Sequence, residues 1–151
     1  MNKLTNGFRS NARLAKAIWG EISQAALLHL KELTREYAFS VKSGDLQLLD
    51  GRWYITHSGL LRIAQRRHCS GIHASLQKDV SDRSSNHWVF KSTVYKSFGS
   101  KGFVGYGDAN PSNTSPLVHG AEMRVAETRA VNRALRRPTE SAFVPSKSWV
   151  G

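Results

Sequence analysis

Apolar positions across residues 12–37 recur three and four apart. Leu14, Ile18, Ile22, Ala25, Ala26, Leu33 and Tyr37 share one stripe, widened by Trp19 and Leu30. That spacing matches the turn of an α-helix and predicts one long amphipathic helix over 12–37, with residues 1–11 as a basic N-terminal arm. Ser43-Gly44-Asp45 and Asp50-Gly51 are turn signals flanking Leu46–Leu49, and Arg52–Ile55 follows, so a small hairpin is expected. Thr56 or Ser58 is placed to cap a second helix through about Arg67, burying Leu60, Leu61, Ile63 and Ala64, with Gly71 ending it.

The period then switches to two. Ile72, Ala74, Leu76, Lys78 and Val80 alternate with His73, Ser75, Gln77 and Asp79, the pattern of a strand with two unlike faces. Ser81–Asn86 is a polar turn. His87–Ser97 is a second strand rich in aromatic and β-branched residues, Phe98–Lys101 turns again, and Phe103–Gly107 is a third strand interrupted by glycines. Asp108–Leu117 contains Pro111 and Pro116 and has to be irregular; a helix over 118–137 follows, stopped by Pro138. The predicted fold is α+β: an antiparallel β-β-β meander packed against a long Arg-rich helix, preceded by the N-terminal helix and hairpin. One domain spans 1–137, and 138–151 is an extended tail.

The last helix departs from the usual one-sided pattern. Val118, Ala121, Val125, Thr128 and Leu135 form one stripe, and Met123, Ala126, Ala130 and Ala134 a second. Arg129, Arg133 and Arg136 run between them at i, i+4 and i+7, with Arg124 and Arg137 nearby. A row of guanidiniums between two covered faces suits a row of phosphates. Two unpaired sheet edges and the second stripe together predict edge-to-edge assembly with neighbouring subunits.

Charge strengthens that expectation. Lys and Arg number 22 against 11 Asp and Glu, a net +11 over 151 residues, which points to a polyanion. No apolar run reaches the ~20 residues a membrane span needs, and no membrane partner is expected. Cys69 is the single cysteine and cannot form an internal disulfide, which suits a reducing compartment. The expected location is cytoplasmic and nucleoid-associated, with organellar import left open by a start that has no acid before Glu21.

Further cations are candidates for the same ligand: Arg62 and Arg66 on the second helix with Arg67 beside them, and Lys91, Lys96 and Lys101 along the meander. Of the aromatics Trp88, Phe90, Tyr95, Phe103 and Tyr106, period-two spacing assigns most to the core; Tyr106, flanked by glycines, is the best candidate to stack on a base. Gly105 and Gly107 lack the lysine and hydroxyl residue of a phosphate loop and instead permit a bulge or a close backbone approach. His57, His68, Cys69 and His73 lack the paired spacing of a zinc site, so neither metal nor cofactor is expected. A metal-dependent nuclease would have to recruit Asp108, Glu122 and Glu127, but Glu122 and Glu127 diverge by about 140° on a helix.

The block VGYGDANPSNTSPLVHGAEMRVAETRAVNRALR resembles the strand, loop and Arg-rich helix of the Rad-fifty-two-type single-strand annealing proteins. The upstream segment WYITHSGLLRIAQRRHCSGIHASLQKDVSD is similar to the entry into that fold. The likeness spans about residues 52–137. It implies a β-β-β-α core, a ring or filament of subunits, and ATP-independent pairing of complementary single strands held in a basic groove. The family's basic pair falls on Asn132-Arg133, so only the arginine is present, and its upstream basic residue falls near Gly59, with Arg62 one turn later. The expected function is therefore non-enzymatic: single-stranded DNA binding and strand annealing in recombination and repair. The DNA contacts would be Arg129, Arg133, Arg136, Arg137, Arg62, Arg66, Lys101 and Tyr106. An exonuclease or a single-strand-binding protein would be a further partner. The alternatives are a protein that coats DNA or RNA without pairing it, and the nuclease.

Overall fold

The computed structural model describes residues 3–136. Arg137 and the tail expected over 138–151 lie outside the described residues. The fold is α+β, with four helices and two antiparallel sheets among the described residues. The chain divides into two compact units, one running to Ile63 and the other from Ala64 onward, with the boundary inside the third helix.

In the first unit the expected single helix is two: α1 (Lys3–Trp19) and α2 (Gln24–Tyr37). Gly20 takes a left-handed φ of 78°, which ends α1 with its amide donating to the Lys16 carbonyl at 2.9 Å. Ser23 then starts α2, its hydroxyl accepting from the Ala26 amide at 3.2 Å. The stretch expected to be a basic arm is helical from Lys3 onward. Asn11 of α1 explains why it is held. Buried at 5% exposure, it donates to Thr34 Oγ1 at 2.9 Å and to the Phe39 carbonyl at 2.8 Å, and accepts from the Val41 amide at 2.9 Å. At about 1 kcal/mol each, these bonds tie α1 to the far end of α2.

The hairpin forms where expected, β1 (Leu46–Leu49) pairing antiparallel with β2 (Arg52–Ile55). Trp53 of β2 is buried, donates from Nε1 to the Ala26 carbonyl at 2.8 Å, and meets Trp19 edge-on with centroids 5.5 Å apart. Helix α3 (His57–Arg66) follows, and Leu60, Ile63 and Ala64 are buried as its pattern predicts, whereas Leu61 is 38% exposed.

The second unit is the meander. Strands β3 (Gly71–Leu76), β4 (Trp88–Tyr95) and β5 (Phe103–Ala109) pair in that order, both ladders antiparallel. β3 is shorter than its alternation implied. After Leu76 the chain tightens into a single 3-10 turn at Lys78–Val80, leaving Val80 58% exposed, and Ser81 Oγ accepts from the Val89 amide at 2.9 Å. Helix α4 (Glu122–Arg136) starts four residues later than expected. Pro116–Val118 makes a separate 3-10 turn capped by Ser115, and Gly120, with φ 86°, separates it from α4.

Helix α4 packs on one face of this sheet, on the side of Phe90, Ser92, Val94, Gly105, Gly107 and Ala109. A Cβ on Gly105 would meet the Ala134 amide, and would reach the Ala130 carbonyl at 2.7 Å. A Cβ on Gly107 would meet the Ala130 amide and the Ala126 carbonyl. The helix backbone thus rests directly on the strand backbone, with Ala126, Ala130 and Ala134 fully buried at the contact. This is the close approach the glycines permit; the β4–β5 register runs through both without a bulge. Ala126, Ala130 and Ala134 of the second stripe, which was expected to meet a neighbouring subunit, are thus covered by the chain's own sheet. Leu135 of the first stripe is 2% exposed; Met123 of the second remains 39% exposed.

Gly107→Ala should lower stability by about 1–3 kcal/mol, because the obstructing atoms are helix backbone and cannot swing away. Gly99→Ala, with no heavy atom within 4 Å of the added carbon, should leave it unchanged. Urea unfolding of the two variants checks both.

Candidate nucleic-acid interface

The arginine row of α4 lies along the outer edge of β5. Arg129, Arg133 and Arg136 fall within about 60° on the helix, toward that edge. Arg133 Nη1 donates to the Tyr106 carbonyl at 2.8 Å. Arg129 Nη1 donates to the Asp108 carbonyl at 2.7 Å and to Asn113 Oδ1 at 3.1 Å, and its Nη2 to the Asn113 carbonyl at 2.7 Å. These carbonyls point away from β4, where a further strand would otherwise pair. Two guanidiniums therefore cap the β5 edge, which blunts it against strand addition. The free edge of the sheet is that of β3, which pairs only with β4 among the described strands.

The two arginines differ in what remains for a ligand. Arg129 is committed to three acceptors and braces the loop after β5. That loop is shaped by Asn110 Oδ1, which accepts from the Ser112 and Asn113 amides at 2.8 and 3.1 Å. Asn113 Nδ2 in turn donates to Asp108 Oδ2 at 2.9 Å. Arg133 engages one acceptor, is exposed, and keeps most of its five N–H donors. Arg136 is exposed at the end of the row. The Asn110/Asn113 brace adds two residues to the site that the sequence reading did not single out, although Asn-Pro-Ser-Asn is an Asx-turn signal.

Tyr106 stands at the same edge, 50% exposed. The strand alternation turns its ring to the face opposite α4. Across that face the register aligns Ser75, Lys91 and Tyr106 in one row, and His73, Thr93 and Val104 in the next. Of the aromatics, Phe90 and Trp88 belong to the α4 side and its core, as expected. Tyr95 and Tyr106 face the open side at 37% and 50% exposure. Lys101 is exposed just before β5.

Arg62 meets an acid of its own unit. Its Nε lies 3.0 Å from Oδ1 of Asp45, which is fully buried and also accepts the Ser40 amide through Oδ2 at 2.8 Å. A lone buried carboxylate is costly, so Arg62 is the counter-charge that lets Asp45 close the turn before β1. Gly59, where the family resemblance expected a basic residue, can carry no side chain: a Cβ there would approach the Asp45 carbonyl to 2.5 Å. Arg66 is exposed on the last turn of α3, in the other unit from Arg62.

Glu122 is the second buried acid, 1% exposed, at the first turn of α4. Its own backbone amide and the Asn86 side chain hold its carboxyl below the usual range, aided by the Gly120 amide and His119 and opposed by burial. Neither oxygen completes a hydrogen bond of good geometry, and His119 Nδ1 is 3.5 Å from Oε1. Asp108 sits 3.9 Å from His87 Nε2. No group of three or more His, Cys, Asp or Glu residues among the described residues could hold a metal ion. No helix among them is long and apolar enough to cross a membrane.

The class that fold and site define is a small antiparallel sheet backed by one helix whose arginines overhang a strand edge. Compared with known proteins, the chain matches no family model and no curated protein.

Arg62→Ala should lower stability by about 2 kcal/mol, because Asp45 loses its counter-charge, while affinity for an oligonucleotide changes little. Urea unfolding beside fluorescence anisotropy separates the two effects. Glu122 contributes stability that is present above pH 4.5, its unfolded value, and is lost as pH falls through the lower folded value. Glu122→Gln should flatten that acid limb in melts taken across the pH range.

Proposed function

We propose that this chain binds single-stranded DNA through its phosphate backbone along the β5 edge and promotes pairing of complementary strands without ATP. The observation that carries the proposal is Arg133, exposed on α4 in line with Arg136 and held at the β5 edge by the Tyr106 carbonyl, with the exposed Tyr106 ring on the adjoining face of the sheet. Edge cations and a ring on the adjoining open face are the two parts a single strand requires: charge for the backbone and a π-surface for a base. The net charge of +11 supplies long-range attraction to the same ligand. Holding two strands extended, with their phosphate charge screened, turns the search for complementarity into a local one. The resemblance to the Rad-fifty-two-type proteins supports annealing over mere coating.

Contacts are assigned to Arg133, Arg136, Tyr106 and Lys101, with Arg66 and Arg137 as further candidate cations. Arg129 acts mainly by holding the loop that shapes the edge. Assembly into a ring or filament is part of the proposal, with the β3 edge as the pairing edge, since that of β5 is capped by the chain's own arginines. The three-acceptor commitment of Arg129 favours a second reading, in which α4 chiefly braces the sheet and the protein coats nucleic acid without pairing it.

Arg133→Ala should weaken binding to all single-stranded sequences alike and reduce the log-affinity against log-salt slope by about 0.7 for each phosphate that is no longer neutralised. Weakening confined to one sequence would refute backbone recognition. In a mixture of complementary oligonucleotides, with and without magnesium and lacking ATP, the proposal expects faster duplex formation and intact strands. Binding without pairing supports the coat, and shortened strands a nuclease.

A further inference from the structure

A groove lies in the N-terminal unit, away from the arginine row in sequence; peptide docking there stands apart from the function proposed for that row, and only the recruitment to nucleic acid rests on it. Phe8, Ala12 and Lys16 recur four apart on α1, and Leu27, Leu28 and Lys31 form the matching stripe of α2. Between them is a groove of about 340 Å³, the lower end of the range for a pocket that holds a ligand. Its floor is apolar, and Leu28 remains 55% exposed within it. A leucine this open on a helix that otherwise buries Ala26, Leu30 and Leu33 leaves apolar surface uncovered at a concave place.

The rim identifies the chemistry of what fits. Lys16 and Lys31 stand on opposite helices at the groove, both exposed, and neither forms an ion pair with a carboxylate among the described residues. Across its length α1 carries Lys3, Arg9, Arg13 and Lys16 and no acid. Nucleic acid would satisfy the cations but not the recessed apolar floor, where Leu27 and Leu28 outnumber the single ring of Phe8. A peptide with carboxylates outside and a bulky apolar side chain inside satisfies both.

We propose that the α1–α2 groove docks an acidic peptide segment of a partner protein, seating an aromatic or aliphatic anchor between Phe8, Leu27 and Leu28, with its carboxylates against Lys16 and Lys31. The mode is helix-or-strand-in-groove recognition, in which a few apolar anchors supply affinity and rim charges supply specificity and steering. Such a site would recruit a second protein to the nucleic acid without using the arginine edge.

The test uses the full chain and three fluorescein-labelled synthetic peptides read by anisotropy. One combines Asp and Glu with Leu and Phe a helical turn apart, one replaces Leu and Phe by Ser, and one replaces the acids by Lys. The first should bind, and the other two should bind at least about tenfold more weakly. Leu28→Glu, and separately the pair Lys16→Glu with Lys31→Glu, should each weaken the first peptide at least about tenfold with circular dichroism unchanged. Leu28→Glu should leave oligonucleotide affinity nearly unchanged, and the pair should lower it only through its smaller net positive charge, an effect that added salt screens. Equal binding of the three peptides, or indifference to the groove variants, overturns the proposal. So does loss of oligonucleotide binding in Leu28→Glu, which would assign the groove to nucleic acid. Binding that appears only in a full chain carrying Trp149→Ser and Val150→Ser overturns it too, because the occupant would then be the chain's own tail.

Discussion

The constraint on which the second unit depends is the contact of one backbone with another. Gly105 and Gly107 present no side chain to α4, and Ala126, Ala130 and Ala134 present the smallest one back. Sheet and helix consequently come closer than ordinary side-chain packing allows, and that proximity brings the arginine stems within reach of β5. A helix held farther away by Leu or Val would not deliver Arg133 Nη1 to the Tyr106 carbonyl at 2.8 Å, or Arg129 to Asp108 at 2.7 Å. The glycine pair, the alanine stripe and the arginine row are thus one device read on three strips of sequence.

The first unit is organised by a different means, buried polar side chains held by hydrogen bonds and an ion pair. Asn11 links α1 to the end of α2, and Asp45 with Arg62 fixes the turn into the hairpin. Such groups are costly to bury and correspondingly intolerant of misplacement, so they specify which turn sits where. Asp45 also keeps position 59 a glycine: its carbonyl occupies the space that a side chain there would need. The position is closed to a basic residue by packing.

Strand identity and order were legible in the sequence because period-two alternation and the short polar turns are local signals, and β1, β2, β4 and β5 fall within a few residues of their expected bounds. The single long N-terminal helix was not, for an instructive reason. Apolar spacing carried straight through residues 20–23, whereas the stop at Gly20 and the restart at Ser23 are backbone and capping signals that periodicity does not weigh. The arginine row was visible as a row, but its engagement was not. Whether a guanidinium meets solvent or its own chain depends on where the Tyr106 and Asp108 carbonyls come to lie, a long-range matter. Arg62 shows the same limit, since its partner Asp45 is seventeen positions away and became a buried acid only once the hairpin closed.

Capping an edge and binding a phosphate compete for the same donors, and the competition is graded along α4. Arg129, nearest the loop, has three acceptors from its own chain and little left to exchange. Arg133 has one, so a phosphate can be added to its remaining donors without displacing the Tyr106 carbonyl. A guanidinium already anchored at one corner loses less rotamer freedom on meeting a ligand than one on a free stem, which favours binding. A hydrogen bond to the chain's own carbonyl is then a form of preorganisation for Arg133 and an obstacle for Arg129. The protective function of the row and its proposed ligand are compatible because different arginines lean toward different tasks.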